Sequence, residues 1–127
     1  MKKKFTLSIL PEKLGVCHFA AKSEIPDWAE DASFCSITRT KEELSIICPQ
    51  NKIPAGVLTE QNWRVFKVEG PLGFTTSGIV AGFSAPLAKA EISILYVSTY
   101  ETDYILVEEK NLEKAAKILA KFCDVKK

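Results

Sequence analysis

Two segments about sixty residues apart alternate apolar and polar side chains and are followed by a proline. The first is Phe5–Leu10 before Pro11, and the second is Trp63–Val68 shortly before Pro71. Alternation with a period of two is typical of a half-buried β-strand, and proline ends such a strand. The pattern therefore predicts a strand at each place, and its recurrence indicates two related units.

Each predicted unit continues with a β-hairpin. In the first unit, Ser36–Thr40 leads into the apolar stretch Leu44–Cys48, and in the second, Val97–Asp103 leads into Tyr104–Val107. Short apolar runs joined by polar residues are typical of paired antiparallel strands.

Helical periodicity is clearest in the second unit. Between residues 74 and 89, four apolar residues fall on one helical face, namely Ile79, Val80, Phe83 and Leu87. Pro86 lies inside this segment, and we expect it to kink the helix or end it early.

Two further helices are predicted. Asn111 is expected to cap a closing helix whose apolar face contains Leu112, Ala115, Ala116, Leu119 and Phe122. The first unit offers one short candidate, Ile25–Glu30, with Pro26 in its first turn. Helices that alternate with antiparallel strands indicate the α+β class, with helices packed on one face of a sheet.

Composition limits the partners. The chain has 127 residues with 46% hydrophobic and 26% charged, and its net charge is +1, so neither nucleic acid nor a membrane surface is favoured. The apolar stretch Phe5–Leu10 is too short for a signal peptide, and no apolar run is long enough to span a bilayer. We therefore expect a cytoplasmic protein.

The cysteines and the single histidine do not indicate an enzyme. Cys17, Cys35, Cys48 and Cys123 form no Cys-x-x-Cys pair and are expected to be reduced core residues. His18 directly follows Cys17, and neighbours in a strand point to opposite faces, which excludes a catalytic pair. No metal-ligand spacing and no glycine-rich phosphate loop is present. We predict no catalytic residue, metal or cofactor.

One candidate binding segment is the turn Glu69–Gly78, where a predicted strand leads into a helix. The first N–H groups of a helix have no partner inside it and carry partial positive charge, and Gly73 lets a small carboxylate approach them. The alternative is a plain connection in which Thr75 or Thr76 caps the helix.

The second candidate is the polar stretch Val97–Tyr104 between two apolar strands. Asp103 is suited to bind an ammonium group, and Ser98 and Thr99 offer hydroxyl groups to complete the shell. The alternative is an ordinary polar turn. Together, a helix start that binds a carboxylate and an acid that binds an ammonium group would form a receptor for a free α-amino acid.

At these segments the chain resembles the ACT domain family, and more closely its small stand-alone bacterial proteins with two ACT-like units. The resemblance rests on the order and spacing of five segments, namely Ile9–Leu14, Phe34–Thr40, Glu43–Pro49, Trp63–Leu72 and Ser98–Val107. The Ser-Thr-aromatic-x-x-Asp hairpin is also similar to one in cytosolic arginine sensors of the CASTOR type.

The resemblance implies tandem ferredoxin-like βαββαβ units, with an abbreviated unit at residues 1–61 and an ACT domain at residues 62–127. It further implies a non-catalytic regulatory protein that forms a homodimer, binds a free amino acid where units meet, and acts alone or on a separate protein partner. The implied ligand-binding residues are Leu72, Gly73, Phe74, Thr75, Ser98, Thr99, Tyr100 and Asp103. The alternative is a dimerisation or interaction domain that has lost ligand binding.

Overall fold

The computed structural model describes residues 5–70 and 77–127. The chain divides into two compact units, an inserted unit (Glu12–Trp63) and a host unit formed by Met1–Pro11 with Arg64–Lys127. The division into residues 1–61 and 62–127 stays a prediction.

The regular elements are eight strands, three α-helices and two short 3₁₀ turns within the described residues. The strands are β1 Phe5–Ile9, β2 Leu14–Phe19, β3 Ser36–Arg39, β4 Leu44–Pro49, β5 Thr59–Val68, β6 Ile94–Ser98, β7 Asp103–Glu108 and β8 Cys123–Lys126. The helices are α1 Asp27–Glu30, α2 Ile79–Lys89 and α3 Leu112–Leu119, and the 3₁₀ turns are Gln50–Lys52 and Glu109–Asn111. The boundary between the units falls within β5.

The inserted unit has the strand order β3-β4-β2-β5, and all its neighbours pair antiparallel. Along the chain it runs strand, helix, strand, strand, 3₁₀ turn, strand, which is a βαββαβ order with each helix reduced to about one turn. Its core contains Cys17, Ala29, Leu44, Ile46 and Cys48, packed against Trp28 and other partly buried side chains. The prediction of an abbreviated α+β first unit is confirmed.

The host unit has the strand order β6-β7-β5-β1-β8. Strand β1 pairs antiparallel with β5, with Leu7 opposite Val68, and parallel with β8, with Phe5 opposite Cys123. The host sheet therefore contains a parallel pair, β1 with β8, beside its antiparallel pairs. Since β1 lies between β5 and β8, it separates the first and last strands of the βαββαβ unit that begins at β5.

Helices α2 and α3 cover one face of the host sheet. Phe83 and Leu87 of α2 and Ala115 and Leu119 of α3 form one buried cluster with Phe66 and other strand residues. Burial of each leucine or phenylalanine side chain in this cluster contributes about 1.5–3 kcal/mol relative to exposure. The α+β architecture predicted from periodicity is confirmed here as well.

Helix α2 differs from the prediction in two ways. It continues through Pro86 to Lys89, so the proline does not end it early. Burial of Phe83 and Leu87 on either side of Pro86 outweighs the one backbone hydrogen bond that proline removes. Val80, predicted on the apolar face, is 49% exposed.

The end of the chain differs too. Phe122 lies beyond α3 and is half exposed, and the next four residues form β8, which the pattern did not predict. Cys17, Cys48 and Cys123 are buried and form no disulfide, as predicted, whereas Cys35 is exposed, so its placement in the core was wrong. No helix among the described residues is long and apolar enough to cross a membrane.

Candidate functional site

The candidate site is built on the turn that joins β6 to β7. The Thr99 N–H donates a 2.8 Å hydrogen bond to the Thr102 carbonyl oxygen, and the Thr99 hydroxyl donates to the same oxygen at 3.0 Å. In return, the Thr102 N–H donates to the Thr99 hydroxyl oxygen at 3.3 Å. The turn is therefore closed by the Thr99 hydroxyl, which accepts the Thr102 N–H hydrogen bond that a backbone carbonyl accepts in an ordinary turn.

Thr102 also connects this turn to the end of β5. Its side chain is buried, and its hydroxyl donates a hydrogen bond to the Val68 carbonyl oxygen. The segment that leads from β5 towards α2 starts at Val68. The start of β7 and the start of this segment therefore lie at the same end of the host sheet.

Asp103, the first residue of β7, is only 9% exposed. Alternation along the strand places its side chain on the same face as Ile105 and Val107, which belong to the core beneath the helices. The Tyr96 hydroxyl donates a 2.6 Å hydrogen bond to Asp103 Oδ2. The carboxylate therefore lies at the edge of the apolar core, where it is largely removed from water.

Within residues 5–70 and 77–127, no lysine, arginine or histidine forms an ion pair with Asp103. Its described partner, the Tyr96 hydroxyl, is neutral. Buried carboxylates are normally paired with a cation, because an isolated buried charge is costly. The described part of the site thus has an acid with capacity for a cationic group.

Tyr96 was not among the residues predicted from the sequence. Burial raises the pKa of its phenol well above the usual value, and the hydrogen bond to Asp103 and the nearby carboxylate charge raise it further. Tyr96 therefore remains a protonated donor at neutral pH. Strand alternation could have found it, because Tyr96 faces Ile105 and Ser98 faces Asp103 in the β6–β7 register, which makes Tyr96 and Asp103 diagonal neighbours.

The other predicted binding residues are placed as follows. Ser98, Thr99 and Tyr100 are exposed around the turn beside Asp103, so the structure brings the four hairpin residues together. Leu72, Gly73, Phe74 and Thr75, as well as the alternative cap Thr76, lie outside the described residues. Their role stays a prediction.

A separate cavity of about 240 Å³ opens beside the first turn of α2. It is lined by Phe5, Ser77, Gly78, Ile79, Gly82, Phe83, Phe122 and Cys123. None of these side chains is charged and Asp103 is not among them, so this cavity offers mainly apolar contacts and does not include the acid.

Cys17 and His18 are adjacent residues of β2 that differ in burial. His18 is exposed whereas Cys17 is buried, as strand alternation predicts. In the part of the chain that the structure describes, no three His, Cys, Asp or Glu side chains are placed to hold a metal ion.

Comparison with known protein families identifies the fold. A model of the ACT domain matches residues 58–121, about half of the chain. The chain belongs to the ACT domain family. A second model, described as an N-terminal domain, matches residues 12–56, which covers most of the inserted unit.

Among curated proteins, this ACT chain is similar to the human protein named cytosolic arginine sensor for mTORC1 subunit 1. The two are 39% identical over 75 residues, which is 55% of this chain and 23% of the sensor. The bovine sensor matches with the same figures. The chain thus aligns with less than a quarter of the length of these relatives.

Solved structures confirm the ferredoxin-like ACT architecture. A crystal structure of an Agrobacterium tumefaciens protein superimposes with a TM-score of 0.90 at 38% identity, covering 98% of this chain and 93% of that one. The aspartate kinase of Clostridium acetobutylicum, described as an allosteric enzyme, superimposes with a TM-score of 0.68 at 16% identity, covering 91% of this chain and 33% of the kinase. At that low identity, the kinase supports the fold alone.

Proposed function

We propose that this ACT protein is a non-catalytic regulatory protein that binds a free amino acid. Asp103 binds the ammonium group of the ligand, with Ser98, Thr99 and Tyr100 around it. The turn of residues 72–75 binds the carboxylate through backbone N–H groups. Binding changes the association of the chain, as a homodimer, or the surface that it presents to a protein partner, because the ligand favours one of two states.

The observation that carries this proposal is the buried Asp103 carboxylate without a cation in the described part of the chain. A chain selected only for stability has no use for such a group, because a neutral side chain of similar size would avoid the cost of burying charge. A ligand with a positive group removes that cost when it binds. The acid is therefore better explained as half of a binding site than as part of a turn.

The link between Thr102 and Val68 supports the second half of the proposal. It joins the β6–β7 turn to the end of β5, from which the chain continues towards residues 72–75. A carboxylate bound at a helix start and an ammonium group bound at Asp103 would then belong to one small molecule. Because curated relatives are named arginine sensors, arginine is the first amino acid to test.

The test is thermal unfolding of the full chain in the presence of each of the common amino acids. A ligand at about one hundred times its Kd adds roughly 2.7 kcal/mol to the free energy of unfolding. For a chain of 127 residues the unfolding entropy is roughly 0.27 kcal/mol/K, so we expect the Tm to rise by about 10 °C.

Asp103→Asn is the matched variant, because the amide has almost the same shape and still accepts a hydrogen bond from Tyr96. We expect it to melt close to wild type without ligand and to show no shift with the amino acid that stabilises wild type. If no amino acid shifts the wild-type melt and sedimentation shows a dimer, the chain is an interaction domain and the proposal is wrong.

A further inference from the structure

We propose that Tyr96 is a positioning residue that sets the affinity of the site for the ammonium group of the ligand, by holding the Asp103 carboxylate in one orientation. This inference rests on the proposed function. It assigns a role to a residue that lies outside the hairpin motif of residues 98–103.

The geometry gives Tyr96 control over one carboxylate oxygen. Its hydroxyl lies 2.6 Å from Asp103 Oδ2, a short distance typical of a hydrogen bond to a charged acceptor. Among the described residues, no donor is hydrogen-bonded to Oδ1. The contact therefore restrains the orientation of the carboxylate, and within the described residues the other oxygen remains able to accept a hydrogen bond from a ligand.

The position of Tyr96 makes this contact rigid. The ring is partly buried and packs against the core under the helices, and it lies opposite Ile105 in the antiparallel ladder. A side chain held by both packing and strand pairing has few alternative rotamers. Holding the acid in advance removes part of the ordering cost that binding would otherwise include.

The neutrality of tyrosine is also informative. A lysine or arginine in this place would fix Asp103 equally well, but it would cancel the negative charge that attracts an ammonium group. The Tyr96 phenol remains protonated because burial and the neighbouring carboxylate raise its pKa. It therefore orients the acid without adding a positive charge that would compete with the ligand.

The test is isothermal titration of the amino acid that gives the strongest thermal shift, with wild type, Tyr96→Phe, Asp103→Asn and the double variant. We expect Tyr96→Phe to weaken binding roughly tenfold, the loss of one hydrogen bond that orients a charged group. In the Asp103→Asn chain, titrated with ligand up to about 100 mM, adding Tyr96→Phe is expected to change the Kd less than twofold. The reason is that Tyr96 acts through the carboxylate, which this chain lacks.

Tyr104→Phe is the matched control, because Tyr104 is adjacent to Asp103 on β7 and its side chain points to the opposite face. It is expected to change affinity less than twofold. If Tyr96→Phe binds the ligand as tightly as wild type, the inference is wrong and the proposed function is unaffected. The same holds if Tyr96→Phe weakens binding equally in the wild-type and Asp103→Asn chains. A wild-type chain that binds no amino acid contradicts the proposed function itself.

Discussion

Replacing Thr102 with valine is expected to destabilise the host unit, because the change removes a buried hydroxyl and almost no volume. The hydroxyl donates to the Val68 carbonyl oxygen, and Thr102 is only 4% exposed. Valine fills the same space, so no cavity term is added. The carbonyl, however, loses this donor in a place that water does not reach.

The magnitude follows from that burial. Leaving a buried acceptor without its donor costs about 1–3 kcal/mol. With an unfolding entropy of roughly 0.27 kcal/mol/K for a chain of this length, the Tm is expected to fall by about 4–11 °C.

Far-ultraviolet circular dichroism is the suitable assay, because α2 and α3, the two longer helices of the described residues, both belong to the host unit. Urea unfolding followed by this signal gives the free energy of unfolding of each variant. Trp28 lies inside the inserted unit and Trp63 is its last residue, so tryptophan fluorescence reports mainly on that unit.

Thr38→Val provides the control, because it changes the same atoms on an exposed strand position of β3. We expect its free energy of unfolding to remain within about 0.5 kcal/mol of wild type. If Thr102→Val is as stable as Thr38→Val, the hydroxyl does not tie the turn to β5, and the proposal that residues 72–75 and Asp103 bind the same ligand loses its support.

Three other predictions concern stability and thiol chemistry. Burial and the neighbouring thiols raise the pKa of Cys48 to about 12, so its thiol is neutral in the folded chain but ionises from about pH 9 upward in the unfolded chain. The free energy of unfolding that Cys48 adds relative to Cys48→Ala should therefore be fully present below pH 9 and should be lost as the pH rises towards 12. Urea titrations of both chains across this pH range measure it. Gly15→Ala should destabilise the chain by about 1–2 kcal/mol, because an added Cβ would lie 2.8 Å from Cγ2 of the β-branched Thr59 as well as 2.6 Å from Ile53 Cδ1. Gly82→Ala in α2 meets no atom of the described residues within 4 Å and should stabilise the chain by about 0.5–1 kcal/mol, and equal effects of the two changes in thermal melts would refute this contrast. In the native chain a thiol reagent should label exposed Cys35 quickly and the three buried cysteines slowly; rapid labelling of all four, read by mass spectrometry, would contradict the packing of both cores.

Periodicity was sufficient to predict most of the fold. The alternation before Pro11 and after Trp63, and the two apolar hairpins, correspond to strands in the structure. The short strand β8 was not found, because four residues are too few for a period of two to be distinguished from the end of a helix.

The site was only partly predictable. The acid and hydroxyl groups around Asp103 were proposed from their unusual polarity between two apolar strands, and the structure places them around one turn. Tyr96 was missed because a tyrosine in an apolar strand is usually a core residue, and only the β6–β7 register shows that its hydroxyl meets the carboxylate. The burial of Asp103 is a tertiary property, which no local pattern records.

The most direct measurement of the central claim is a crystal structure of the full chain with the amino acid that stabilises it most in thermal unfolding. We predict the ligand nitrogen about 2.7–3.2 Å from an Asp103 carboxylate oxygen and the ligand carboxylate against the backbone N–H groups of residues 72–75. An amino acid bound elsewhere, with Asp103 contacting Tyr96 but no ligand, would contradict the account.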